Sequence, residues 1–375
     1  GLNDVLTTTD PLGVVTTSTY DSAGNVLSAS TPVDGSATAT SSLTYGDAAH
    51  PGDVTASTDA DGRVSHFAYD AFGNKTSQTD PAGDETTFGY DADGEQTTTV
   101  APDGNVPGGS PADYTSTAVY DGDGEVTSVT DPLGDSTSFG YDGDGNKTSV
   151  TDATGLTTTS VYGVGDELVS VTNPDGTSTN YTYDGDGRVL SVADGAGDTT
   201  GYGYDVLGRR TTVTDPLGAV TTSAYDLAGR LVSVTRPDGG VTTNAYDDAG
   251  QLTKTTGPTG GVTTTGYDAD GRTAQVTDAD GNVTGYAYDN LGRQTVTTRA
   301  DGTTLVNAYD AAGQLTSYTD GAGDVTGYGY DGAGRLASRT DPDGRVMSFG
   351  YDASGNSTAV TDAAGRVTTQ TYDAG

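Results

Sequence analysis

Two histidines, His50 and His66, are the only imidazoles in the 375 residues. An imidazole general base or imidazole metal ligand would have to be one of them. Neither stands in a Ser-His-Asp or metal-ligand arrangement, so both read as loop or strand residues and no catalytic residue is assigned. A second chemistry is offered by Asp-rich loops: DADGE 91–95, DGDGE 121–125, DGDGN 142–146 and DGDGR 184–188. Closely spaced Asp around a Gly turn is how calcium loops are built. The sequence carries its own control, because the third position of the same loop is Leu in DVLG 205–208 and Ala in DLAG 226–229. A required ligand would not drop out, and the bidentate Glu of an EF-hand is missing. These loops read as turns, and neither a metal nor a cofactor is expected. A third chemistry, stacking on sugar rings, would use the aromatic pairs FGY 88–90, YGY 202–204 and YGY 328–330. The plainer reading is that these rings cover one face of a sheet.

All these features sit inside a repeat, and the repeat outranks them. Seventeen Tyr residues from Tyr20 to Tyr372 precede a turn, and from Tyr120 onward they recur every 21 residues without exception. Asp follows all but Tyr45 and Tyr162. Each unit carries two turn signals. One is Asp-x-x-Gly directly after the Tyr, as in DAFG 70–73. The other is typified by DPLG at 10–13, 131–134 and 215–218. Asp first, Pro second and Gly fourth favour a type I turn closed by a left-handed Gly. Between the turns run segments such as RLVSVT and VTTSAY, whose Thr, Val and Tyr favour strands. Each unit is therefore two strands of about six residues and two tight turns. Connections this short allow only antiparallel pairing. The expected anchors are Tyr141, Asp142 and Gly145; Tyr204, Asp205, Gly208 and Arg209; Tyr225, Asp226, Gly229 and Arg230; Tyr288, Asp289, Gly292 and Arg293; and Tyr330, Asp331, Gly334 and Arg335.

Tyr-Asp-x-x-Gly-Arg, a short strand, Asp-Pro-x-Gly and Val-Thr-Thr together resemble the YD-repeat, or Rhs, family. Clear units are YDLAGRLVSVTRPDG and YDNLGRQTVTTRADG. The resemblance covers essentially the whole chain. It implies an all-β fold, a long antiparallel ribbon of two-stranded 21-residue repeats that spirals into a hollow shell or coil. In polymorphic toxins and insecticidal toxin complexes such shells enclose a C-terminal toxic domain; in teneurins the shell belongs to an adhesion receptor. The first functional reading is thus a wall segment around a toxin or other cargo, in a secreted or cell-surface protein. The second is an adhesin that presents its repeats to glycans or to another cell.

Composition agrees. Only 32% of residues are hydrophobic and Gly fills 57 positions, too little apolar matter for one deep core. The formal charge is −37, which disfavours nucleic acid and anionic membranes as partners. Nearly all the acid is Asp, a turn former. Cysteine is absent, so there is no disulfide framework. No apolar run approaches the ~20 residues of a membrane helix. The whole chain, 1–375, reads as one array, irregular over 1–119 and regular over 120–375. Its extra nine residues before Tyr120 lie around GNVPGGSPADY, a loop composition. It opens inside a repeat and stops at Tyr372-Asp373-Ala374-Gly375, without an Asp-Pro-x-Gly-Leu cleavage signature. The expectation is a segment of a longer chain, whose cap, self-cleavage domain and C-terminal effector would be its partners. Unpaired sheet edges would also allow self-association.

An odd period sets a last constraint. Side chains alternate faces along a strand, so a 21-residue unit keeps one Tyr face only with an odd number of bulges. One bulge in the Pro-type turn would put the residue five after each Tyr opposite Tyr on both sides. That residue is Arg188, Arg209, Arg230, Arg272, Arg293 or Arg335 in six units. The expectation is a ladder with Tyr225 between Arg209 and Arg230, and Tyr288 between Arg272 and Arg293, with Val213 and Val234 on the Tyr face.

Overall fold

The computed structural model describes residues 4–33, 37–46 and 50–372. The turn expected after Tyr372, over Asp373, Ala374 and Gly375, lies outside them, as do parts of the irregular stretch 31–65. Among the described residues thirty-four strands, numbered in chain order from β1 (Thr7–Thr9) to β34 (Val367–Thr369), form a single sheet. Each pairs antiparallel with the strands before and after it, as β20 (Val220–Tyr225) does with β19 (Arg210–Thr214) and β21 (Leu231–Thr235). The all-β ribbon expected from the repeat is what forms.

The sheet is one layer thick. Among the described residues no hydrophobic side chain is fully buried. In β20, Thr221, Ser223 and Tyr225 are half-buried while Val220, Thr222 and Ala224 face solvent. With no second layer to pack on, stability comes from the ladder, the turns and contacts between neighbouring units, as in other repeat proteins.

Both turn types have the same geometry. In the Tyr-Asp turn, the Gly229 N–H donates to the Asp226 carbonyl and the Asp226 N–H to the Arg230 carbonyl. In the Pro-type turn, Gly218 and Asp215 do the same with Asp215 and Ala219. Each is a three-residue hairpin loop, a type I turn followed by a left-handed Gly bulge. Gly229 has φ +83° and Gly218 the same.

The expected bulge in the Pro-type turn is therefore present, but two more accompany it, and the ladder changes accordingly. The Gly bulge of the Tyr-Asp turn sets Asp226 against Arg230, so Tyr225 faces Leu231 across that turn and not Arg230. The third bulge lies in the strand: Ala224 pairs with Ser233 and Tyr225 with Leu231, leaving Val232 over. Three bulges keep the count odd and every Tyr on one face. Val234 pairs with Ser223 and so lies on the Tyr face, as expected.

Loop composition around GNVPGGSPADY gives two short helical turns instead, α1 (Pro102–Asn105) and a 3₁₀ turn over Pro111–Tyr114. Proline at the head of each supplies a preset φ. Gly104, buried in α1, has no room for a side chain: a Cβ there would lie 2.8 Å from Val100 and 2.9 Å from Tyr114.

The ribbon returns on itself. The Pro-type turn 59–62, between β5 (Val54–Thr58) and β6 (Val64–Tyr69), meets the Tyr-Asp turn 310–313, between β28 (Thr304–Tyr309) and β29 (Leu315–Thr319). From β5 to β28 is 23 strands. At ~4.8 Å per strand, one revolution is about 110 Å around and roughly 35 Å across.

Within the regular array from Tyr120 onward, one unit departs from the left-handed Gly. At Gly163-Val164-Gly165-Asp166 the left-handed place is held by Asp166, with φ +60°, the single positive-φ residue other than glycine among those described. Asp tolerates this conformation less well than Gly. Asp166→Gly should stabilise the ribbon by about 0.5 kcal/mol despite losing the exposed Asn146–Asp166 hydrogen bond, read as a rise in melting temperature.

Candidate functional site: the Tyr-Asp-Gly-Arg wall cluster

The recurring chemistry of the chain is structural, and Asp begins it. Asp226 Oδ1 accepts the N–H groups of Ala228 and Arg230, both at 2.9 Å, and Oδ2 accepts Arg230 Nε at 2.7 Å. The carboxylate thereby satisfies donors that a tight turn leaves without partners. Those bonds, with the N–H of Arg230 foremost, hold the Asp226 carboxyl below its ordinary value of 3.8, and Asp205 behaves alike. The Asp-rich loops work the same way. Asp91, Asp121, Asp142 and Asp184 each turn Oδ1 onto the N–H groups two and four residues on.

Arg then joins neighbouring units. Arg209 lies 4.9 Å from the Tyr225 ring, Arg230 4.9 Å from Tyr246 and Arg272 4.9 Å from Tyr288. Arg188, Arg293 and Arg335 stack likewise on Tyr204, Tyr309 and Tyr351. The ladder is thus one-sided. Each of these six Tyr is covered by the Arg of the preceding unit, and where its own unit carries an Arg, as at Arg209 and Arg230, that Arg serves the next Tyr. Arg209 also donates from Nη1 to the Asp226 carbonyl at 2.9 Å.

Tyr completes the joint. All seventeen anchor hydroxyls donate to a backbone carbonyl of the preceding unit. Tyr225 bonds Arg210, Tyr246 bonds Leu231 and Tyr141 bonds Val126. The bond is needed because backbone pairing between units spans only three residue pairs beside the Pro-type turn, as in Thr212↔Thr222 to Thr214↔Val220. At the other margin, side chains take over.

A fourth member was not read from the sequence. The residue left over at the strand bulge is often Thr, and Thr97, Thr127, Thr211, Thr253 and Thr295 donate their hydroxyls to the carbonyl just before the anchor Tyr. Its signal, a hydroxyl seven residues after Tyr, is diluted by Val and Leu at the same place, as in Val232 and Leu190.

Where Arg is replaced by Glu the cluster works against itself. Glu95 and Glu125 lie over the next turn's Gly124 and Gly145. Partial burial first, then Asp91 and Asp121 respectively, push both carboxyls above 4.5. The two groups of acids then act oppositely with pH. Stability from the depressed Asp carboxylates is complete above about pH 4 and is lost as pH falls through their folded values. Glu95 and Glu125 favour the fold when protonated, and that contribution is lost as pH rises through their raised values. Glu95→Gln with Glu125→Gln should raise the melting temperature at pH 7 and leave the acid limb below pH 4 in place, checked by thermal melts from pH 7 to 3.

The remaining sequence candidates are dispersed. His66 is exposed in β6, opposite Ala56 and Thr79. The His50 ring lies against the Gly73 turn. Among the described residues no group of three or more His, Cys, Asp or Glu is arranged to hold a metal ion. In the aromatic pairs both rings lie on the Tyr face, and cations cover some of them. Lys75 is 5.1 Å from the Phe88 ring and Arg210 5.5 Å from Tyr202.

The units that differ chemically are those where the ribbon meets itself. Asp61 accepts the N–H of Ala312 at 3.2 Å, and Asp103 accepts those of Ala353 and Ser354 at 3.1 and 3.3 Å. Arg335 approaches Asp84 at 3.6 Å, and Arg63 donates to Gln314. At Ala312 and Ser354 a carboxylate from the earlier coil takes an N–H that elsewhere goes to the turn's own Asp.

A single-layer ribbon of hairpins, bound unit to unit by Tyr, Asp and Arg and closing on itself every 23 strands, is a repeat-built wall. The family model for the RHS Repeat matches twelve segments from residues 1–37 through to 351–375, and the chain belongs to that family. No curated protein sequence matches it. Among solved structures it is similar to the TcdB2-TccC3-TEV crystal structure, with a TM-score of 0.76 and 17% identity over 93% of this chain. It is also similar to the Photorhabdus luminescens Tc holotoxin pore carrying a TccC3 mutation, with a TM-score of 0.70 and 16% identity over 94% of this chain. The chain spans about a fifth of those chains, 22% and 21%. At such identity the likeness is one of fold.

Proposed function

We propose that residues 1–375 are one array forming a wall segment of a shell that encloses a toxin or other cargo, within a longer protein that acts outside the cell that makes it. The observation carrying this reading is the return contact after 23 strands, which turns a ribbon that has no core of its own into the side of a container. The likeness to toxin-complex structures supports the same reading. The partners are then flanking regions of the same protein, namely a cap, a self-cleavage domain and a C-terminal effector. The wall contributes no catalysis, and its Tyr, Asp, Gly and Arg anchors work by holding units together. Cryo-electron microscopy of the whole protein tests this. Density for a chain inside the coil is expected, and a lumen open along its side would overturn it. Purified 1–375 should also leave peptide, glycan and nucleic-acid substrates intact. Hydrolysis lost on His50→Ala or His66→Ala would refute that part.

A further inference from the structure

The Tyr face carries almost no acid between its margins. Of the 53 Asp and Glu residues, Glu85 alone stands in a described strand, and its pairing puts it on the opposite face. Arg210, opposite Tyr204, lies on the Tyr face and differs from the arginines of the ladder. Arg209 and Arg230 each hold a carboxylate at 2.7 Å. Arg210 lies 5.5 Å from the Tyr202 ring and, among the described residues, its N–H groups meet no acceptor. The Tyr202 hydroxyl meets none either, whereas that of Tyr204 donates to the Val189 carbonyl at 2.8 Å. Arg210 and Tyr202 line a cleft of about 270 Å³ together with Val189, Val192 and Tyr204. β17 (Val189–Ala193) supplies the two valines and β18 (Thr199–Tyr204) the two rings. Those rings stand two residues apart on one face, so their roots are roughly 6.8 Å apart.

The cleft is therefore aromatic and apolar, and its free polar groups are donors, a phenol O–H and the guanidinium N–H groups. Apart from phenol oxygens its side chains offer no acceptor. A ligand that fits it shows apolar ring faces and acceptors without donors. Polyproline II has that surface. Proline has no N–H, and the carbonyls of this helix make no bonds within it. Aromatic-lined grooves take up such segments, which lose little entropy because the helix is preformed. The cleft is smaller than those that enclose a drug-sized ligand and suits one or two residues of a chain lying across it. A sugar matches it less well, since every sugar hydroxyl is a donor that would go unmet. An acidic ligand for Arg210 would be opposed by the −37 charge, and an oligoproline is neutral.

We infer that this cleft binds a proline-rich segment in the polyproline II conformation. A proline ring packs against Tyr202 and Tyr204, and neighbouring carbonyls accept from the Tyr202 hydroxyl and the Arg210 guanidinium. The 13 prolines of residues 1–375 include no two that are three apart, the spacing that lines one edge of such a helix, so the segment comes from outside this array. Other units lack the combination. The place of Tyr202 is taken by Ser223 and Asn244, and that of Arg210 by Leu231 and Leu252. Phe139 with Lys147 comes nearest but has no phenol. The inference does not depend on what the wall encloses.

The test is fluorescence anisotropy of a labelled decaproline peptide titrated with purified 1–375. A Gly-Ser peptide of equal length and a labelled neutral oligosaccharide are the comparisons. Decaproline alone should bind saturably, one peptide per chain. Tyr202→Ser and Arg210→Leu each install a residue that sister units already carry, so both should melt like the parent. Each should weaken decaproline binding about tenfold, and Tyr202→Phe, which keeps the ring and loses the O–H, about threefold. Repeating the titration with the whole protein separates the sources. Binding there too places the segment on another molecule, and binding by 1–375 alone assigns it to a flanking part of the same protein that already fills the cleft. No saturable binding of decaproline to 1–375 overturns the inference. So does equal binding of the Gly-Ser peptide, preference for the oligosaccharide, or full binding by Tyr202→Ser and Arg210→Leu.

Discussion

Gly229→Val and Gly334→Val should both destabilise the ribbon, the second more than the first. Both glycines sit in the left-handed region, at φ +83° and +82°. A β-branched side chain there costs about 1–2 kcal/mol in backbone strain alone. Around Gly229 there is open space, so strain is the whole effect. A Cβ on Gly334 would lie 3.0 Å from Gln314 and 3.3 Å from Arg63, both part of the seam where the ribbon meets itself. Gly334→Val therefore adds a steric effect, on the order of a further 1 kcal/mol, and pushes the coils apart. Ala228→Val and Ala333→Val, each one residue earlier, are the controls and should cost far less. Thermal melts give the ranking. Hydrogen exchange gives the location: protection should fall around 310–335 and around 59–63 together for Gly334→Val, but only near 226–230 for Gly229→Val. Equal losses at the two glycines would show that the seam does not bear on the turn.

Arg230→Met is the second large expected effect. The substitution keeps an unbranched stem on the Tyr face but removes the cation. It gives up the stack on Tyr246 at 4.9 Å and the Nη1 bond to the Asp247 carbonyl at 3.1 Å, together worth about 1–2 kcal/mol. Arg230→Lys should not restore stability, because one ammonium cannot reach the Asp226 carboxylate and the Asp247 carbonyl at once while lying flat on a ring. Since the Arg serves the following unit, hydrogen exchange should quicken at 246–252 more than at 220–225. The reverse order would overturn the one-sided ladder.

The sequence was most legible where one residue type has one role. Asp-x-x-Gly names a turn with a left-handed fourth residue, and both turns take that form. The run between them, as in VTTSAY, names a strand. Parity showed that the number of bulges had to be odd, but not where they fall. The two turns share a signature, so choosing only the Pro-type turn for the bulge rested on proline rather than on any real difference between them. The strand bulge at Val232 was illegible because any β-branched or apolar residue fills it. Position 5 showed Arg beside Tyr but not the direction of the contact, which depends on those extra bulges. The revolution of 23 strands was beyond reach for another reason. It is set by a small rotation per strand summed over some 250 residues, and no single residue encodes it.

One bond has a consequence for how the chain is made. Each Tyr hydroxyl closes a joint on a carbonyl 15 residues behind it, in the repeated units. A unit is therefore finished only when the next Tyr has left the ribosome, and it never waits for anything further downstream until a full revolution has passed. Synthesis and winding can run in step, one hairpin at a time from the N-terminal end, with a single unfinished hairpin exposed at any moment. Such a chain would aggregate little while growing, and a stalled chain would keep every unit but its last.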